Sequence, residues 1–166
     1  MSVALPILRQ PVTHDWETPR VLFDALDLEF GFTLDAAASD DNALCERYYT
    51  RRENGLWFNW DAQGGAVYCN PPYGQEIARW VQKCYEQSQM GMVVVMLIPA
   101  RTDTSYWHNY VMRSAEIRFI RSRLRFGGGY VSAGGHNAPF PSAVVVFRPG
   151  EHVPVVSSID RGGQAL

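Results

Sequence analysis

The chain has no apolar stretch approaching the ~18 residues of a membrane-spanning segment. Its amino terminus also lacks the basic patch and apolar run of an export signal. Cytoplasmic residence without a membrane partner is therefore expected. Cysteine is sparse: Cys45, Cys69 and Cys84 are odd in number and show no Cys-x-x-Cys spacing. This argues against a disulfide framework and against a zinc site, so no metal is expected. Cys69 reads as buried packing rather than as a nucleophile. Charge of one sign is lacking too, because a formal net charge of −2 does not mark an indiscriminate nucleic-acid binder. There are no internal repeats.

What is present suits one folded domain. The 166 residues are 46% hydrophobic and 19% charged, enough for a sizeable core but too few for a separate recognition domain. Residues 1–15 lack periodicity and read as a loosely attached arm, residues 16–149 as the domain, and residues 150–166 as a weakly packed tail. The charge is unevenly spread. Arg101, Arg113, Arg118, Arg121, Arg123 and Arg125 face only Asp103 and Glu116 in the same interval, which is either a local phosphate-binding lobe or a solvated face.

Thr18-Pro19 reads as a helix start, with Thr18 as N-cap and Pro19 at the first helical position. Val21, Leu22, Ala25 and Leu26 follow at helical spacing. Strands are expected at residues 32–35, 66–69, 92–98 and 142–147, with one or two more within residues 116–125. Helices are expected at residues 42–49, 75–89 and 105–114. Residues 92–98 are continuously apolar, the mark of a central parallel strand covered on both faces. Residues 127–141 form a glycine-rich loop holding Tyr130, His136 and Phe140, and loops of that length are usually functional. His108 and His136 have no partner pattern. Alternating strands and helices imply a doubly wound α/β sheet of three layers, mostly parallel. The interval between residues 38 and 66 is too short for two strand-helix units, which makes it a trimmed, Rossmann-like sheet.

The most informative segment is Asn70-Pro71-Pro72-Tyr73, placed where a strand gives way to a helix. Open α/β sheets put their ligands at such positions. The prolines lack N–H groups and hold Asn70 and Pro71 extended, so the carbonyls there stay free to accept hydrogen bonds. With the Asn70 amide and the Tyr73 ring, this is a socket for a planar group bearing an amino substituent. The plain alternative is a proline-stiffened turn with a packed tyrosine.

Asn-Pro-Pro-Tyr after a strand resembles the catalytic motif of S-adenosylmethionine-dependent amino-group methyltransferases. Other stretches narrow the likeness. Trp16-Glu17-Thr18-Pro19 with Leu22-Phe23, Leu34-Asp35-Ala36-Ala37-Ala38, and residues 97–104 all resemble the small phage-type DNA adenine N6-methyltransferases (Dam-like). So do Arg123-Leu124-Arg125-Phe126 and residues 141–147. The resemblance implies a trimmed Rossmann-like methyltransferase fold, S-adenosylmethionine as cofactor and double-stranded DNA as partner. The reaction implied is methylation of a flipped-out adenine at N6.

On that reading Asn70, Pro71, Pro72 and Tyr73 are the catalytic set. The Asn70 side-chain oxygen and the Pro71 carbonyl would accept the amine hydrogens, and Tyr73 would stack on the base. Trp16, Thr18, Pro19, Asp35, Ala36 and Asp61 would hold the cofactor, with Thr18 at its methionine end. Asp35 could instead cap the next turn, and Asp61 could be a turn residue. The Gly-x-Gly of wider methyltransferase patterns does not follow the first strand, which has Ser39-Asp40-Asp41 instead. Arg101, Thr104, Arg123 and Arg125 would meet DNA. Two other functions stay open: methyl transfer to another planar amine or amide, in RNA or a protein glutamine, and a binding module without turnover.

Overall fold

The computed structural model describes residues 16–127 and 136–166. The expected arm at residues 1–15 and most of the glycine-rich loop, with Tyr130, lie outside that range. Helix α1, Arg20–Phe30, begins one residue later than expected. Pro19 rather than Thr18 is its N-cap, and no side chain caps it. The helix ends at Gly31, whose left-handed backbone (φ 65°) lets its N–H reach the Asp27 carbonyl at 2.8 Å. A buried Leu22, Phe23 and Leu26 stripe faces the sheet, while Val21 is exposed.

Strands β1 (Phe32–Asp35) and β2 (Ala66–Cys69) are parallel neighbours. Helix α2 (Ile77–Gln89) then leads to β3 (Val94–Pro99), again parallel to β2. A short α3 (Ser105–Asn109) and a 3-10 turn (Val111–Arg113) precede β4 (Glu116–Ile120). A two-stranded ribbon, β5 (Arg125–Phe126) and β6 (His136–Asn137), leaves the main sheet. Strand β7 (Ser142–Phe147) returns antiparallel between β3 and β4, and β8 (Val155–Ile159) lies parallel along β4. The main sheet is therefore ordered β1-β2-β3-β7-β4-β8, with five of its six strands pointing the same way.

Strand alternation assigns the helices to opposite faces. On one face Phe23 of α1 meets the Tyr68 ring edge-on at 5.1 Å, and Arg118 pairs with Glu29. On the other, Tyr85 of α2 meets Phe147 and Trp107 of α3 stacks on Phe119. Three layers result, and β2, β3 and β7 are buried along their whole lengths. Cys69 and Cys84 lie together in this core, where burial pushes the Cys69 thiol far up and leaves it inert.

Two further expectations are corrected. Residues 42–49 are not helical. The Leu44 N–H donates to the Asp35 carboxylate at 3.3 Å, and the segment runs beside β1, with Asp35 N–H on the Arg47 carbonyl and Tyr49 N–H on the Asp35 carbonyl. Those bonds replace a helical ladder. The expected weak tail supplies β8 instead. Ile159 is buried, and the last residues fold onto α1, where Gly163 approaches Ala25 and Leu22. Among the described residues no helix is long and apolar enough to cross a membrane.

Candidate active site

All strands of the main sheet except β7 end at the same edge, and a cavity of about 680 Å³ opens at the ends of β1 and β2. One wall is Asp35 and the turn after it, Ala37, Ala38, Ser39 and Asp40. A second is Asn70, Pro71 and Pro72, leading to Glu76 and Trp80 of α2. Trp16 and Thr18 close one side, and Tyr49, Arg51 and Arg52 form the rim. Behind the cavity wall Gly55 packs too closely for any other residue, because a Cβ there would fall 2.4 Å from the Ala36 carbonyl and 3.3 Å from Trp80. The loop of residues 50–65 is pinned to α2 by the Trp60 N–H, which donates to the Gln87 side chain at 2.7 Å.

Asp35 is 3% exposed and accepts hydrogen bonds from the N–H groups of Ala37 and Leu44. It thus caps the following turn and lines the cavity at once. Burial pushes its carboxyl up to about 6, against the pull of those two donors. A carboxyl so placed is suited to hydroxyl or ammonium donors of a ligand.

The Asn70 amide has an unusual set of partners. Its Nδ2 donates to the Trp16 carbonyl at 2.5 Å and to the Thr18 hydroxyl at 2.9 Å. Its Oδ1 is buried and, among the described residues, has no hydrogen-bond partner. The carbonyl of Trp16 can only accept, so chemistry fixes which end of the amide faces it. Thr18 also shares a 2.7 Å hydrogen bond with the Tyr68 hydroxyl.

The remaining residues divide. Tyr73 does not line the cavity. Its ring is buried, edge-on to Phe126 at 6.2 Å and Phe140 at 5.5 Å, and its hydroxyl donates to the Leu97 carbonyl at 3.3 Å. Trp16 joins the same ring cluster through Phe126 and Phe140. A base could reach the Tyr73 face only if one of those phenylalanines gave way. Ala36 is fully buried behind the cavity wall, so Ala37 and Ala38 take the place expected for it. Pro19 lies outside the wall and sets the start of α1. Asp61 is a turn residue. It is exposed, accepts from the Gln63 N–H at 2.9 Å, sits 3.9 Å from Arg47 and has no part in the cavity.

Arg101 is exposed at the end of β3, where its carbonyl accepts from the Thr104 hydroxyl at 2.7 Å. Arg123 and Arg125 are exposed beyond β4 and alternate with the buried Leu124 and Phe126, after a bend at Ser122 (φ 72°) that separates them from Arg121. These four residues share the cavity's edge of the sheet without lining the cavity. Among the cavity-lining residues that sequence reasoning missed are Tyr68, Tyr49, Arg51, Arg52 and Trp80. Tyr68 was hidden inside a strand read only as buried, and nothing local marks the others.

Fold and site together define a trimmed α/β methyltransferase-type protein. The chain belongs to the DNA N-6-adenine-methyltransferase (Dam) family, whose model matches residues 7–162. It is 34% identical over 110 residues to the DNA N-6-adenine-methyltransferase of Escherichia phage T1, a match covering 66% of this chain but 45% of the phage protein. It is 28% identical over 138 residues to the DNA N-6-adenine-methyltransferase of Haemophilus phage HP1, covering 81% of this chain and 78% of that protein.

Proposed function

We propose that this chain transfers a methyl group from S-adenosylmethionine to the N6 amine of an adenine flipped out of double-stranded DNA. The observation that carries the reading is the unsatisfied Asn70 Oδ1. A buried acceptor without a donor costs about 1–3 kcal/mol, and such groups in folded proteins call for an explanation. A donor that arrives with the substrate is one. The exocyclic amine of adenine has two hydrogens and a lone pair delocalised into the ring, so it is a poor nucleophile. Oδ1 and the carbonyl of Pro71, next to a proline that cannot donate, would take those two hydrogens. The nitrogen is then drawn toward tetrahedral geometry, its lone pair freed and aimed.

The cofactor's needs fit the residues present. The cavity joins Asn70 to a buried acid, Asp35, at one end and to Arg51 and Arg52 at its rim, a donor–acceptor set suited to a nucleoside carrying an amino acid. Bound S-adenosylmethionine supplies a methyl group activated on a sulfonium. The names of the phage relatives and the family membership support DNA adenine as the acceptor. Arg101, Thr104, Arg123 and Arg125 would hold the DNA backbone at the same edge of the sheet.

The test is Asn70→Ala, assayed with radiolabelled cofactor on DNA. Methyl transfer is expected to fall by at least about 100-fold, with cofactor affinity by calorimetry little changed. Parallel loss of both would show that Asn70 serves the cofactor rather than the amine. Labelling of RNA or protein instead of DNA would redirect the substrate, and binding without turnover would favour a module.

A further inference from the structure

We infer that Thr18 and Tyr68 are positioning residues that lock the plane of the Asn70 amide, rather than contacts to the cofactor. The inference rests on the reading of Asn70 as acceptor for the target amine. It begins with strand geometry. Tyr68 and Asn70 are two residues apart at the end of β2, so both turn toward the face that α1 covers. Thr18, just ahead of α1, lies between them, with its hydroxyl 2.7 Å from Tyr68 Oη and 2.9 Å from Asn70 Nδ2. A threonine before a proline-led helix ordinarily caps it, but α1 has no side-chain cap. The Thr18 hydroxyl is committed to the amide instead.

The Trp16 carbonyl decides which end of the amide points inward, but a single N–H bond leaves the amide free to rock about its broad terminal torsion. The second bond, to Thr18, fixes the plane, and with it the direction of Oδ1. Thr18 is in turn held by a phenol that cannot move. Tyr68 is fully buried, wedged against Phe23 and Phe32. Burial also pushes its hydroxyl well above the ordinary phenol range, so it keeps its proton. Donating both N–H groups further polarises the amide and strengthens Oδ1 as an acceptor. Thr18 and Tyr68 thus act on the reacting amine only through Asn70, from the rigid core outward.

The experiment compares Thr18→Val, Thr18→Ser and Tyr68→Phe in the full chain. Thr18→Val keeps the shape and loses the hydroxyl. It should lower kcat for DNA methylation about tenfold, the value of one lost hydrogen bond, while Kd for S-adenosylmethionine and KM for DNA stay within about twofold. Thr18→Ser should restore kcat. Tyr68→Phe should give a smaller loss that does not add to that of Thr18→Val, because both break one chain. In the ligand-free protein, the Asn70 side-chain amide resonances should lose exchange protection at one of two protons in Thr18→Val. Weaker cofactor binding with kcat intact would overturn the inference and return Thr18 to the cofactor. So would a serine variant no better than valine. If Thr18→Val does not fold, Tyr68→Phe carries the same comparison. An active Asn70→Ala would fail the underlying reading separately, since it leaves the Thr18–Tyr68 bond in place.

Discussion

Asp35 shows how one residue can serve fold and site with opposed electrostatic demands. Its carboxylate takes two backbone N–H groups and holds residues 37–44 against β1, yet it is nearly sealed from water. The carboxyl therefore titrates at about 6 in the folded chain against an ordinary value of 3.8. For an acid raised on folding, the stabilising contribution is full below pH 3.8 and is lost as pH rises through 6, a swing of about 3 kcal/mol. Asp35→Asn does not titrate. Its melting temperature relative to the natural chain is expected to rise between pH 4 and pH 7 in ligand-free protein, and a difference flat with pH would show that Asp35 is not desolvated. At this scale the motif residues were legible, because Asn70, Pro71 and Pro72 do face the cavity. The role of Tyr73 was not legible, since a ring's direction depends on Phe126 and Phe140, more than fifty residues away.

Elements were legible where periodicity is strong. The apolar runs of β2, β3 and β7 and the stripe of α1 lie within a residue or two of their expected bounds, because burial on both faces or on one stripe writes itself into the pattern. Residues 42–49 failed because their backbone bonds go to β1 rather than to their own turn. Strand β8 failed because four of its five residues are exposed, which leaves no alternation to read. It is still hydrogen-bonded to β4, and its Ile159 packs into the core. Ile159→Ala is expected to cost about 2–4 kcal/mol, whereas the exposed Val155→Thr should stay within about 0.5 kcal/mol. Urea denaturation measures both, and equal small effects would make the carboxyl-terminal strand an accessory.

Over the whole molecule, the excess of arginine between residues 101 and 125 resolves into two populations. Arg113 is tied to Glu151 at 2.6 Å, and Arg118 is forked between Glu29 and Glu116 on the α1 face of β4. The Arg118 fork holds the Glu29 carboxyl below its usual range. Arg101, Arg121, Arg123 and Arg125 are exposed at the ends of β3 and β4, the edge where the cavity opens. A protein of net charge −2 can thus present a local cationic rim at this edge, where the proposed DNA substrate would dock. Arg123→Ala and Arg125→Ala should each weaken binding across sequences and reduce the slope of log K against log salt by about 1. Arg113→Ala should leave that slope unchanged. Fluorescence anisotropy titrations at several salt concentrations measure this, and an effect from Arg113 equal to that of Arg123 would remove the rim as the docking surface.

Local order along the chain was enough to name the strand–proline loop–helix unit, the buried strands and the small-residue turn after β1, because each is written in neighbouring residues. Asn-Pro-Pro-Tyr was readable for the same reason. The orientation of the Asn70 amide was not. It depends on Trp16 and Thr18, more than fifty residues earlier, and on Tyr68 packed beneath α1, and these meet only when helix and sheet are brought face to face. Short-range preferences set which groups the chain offers. Hydrogen bonds between distant segments, formed as the core closes, set which way those groups point.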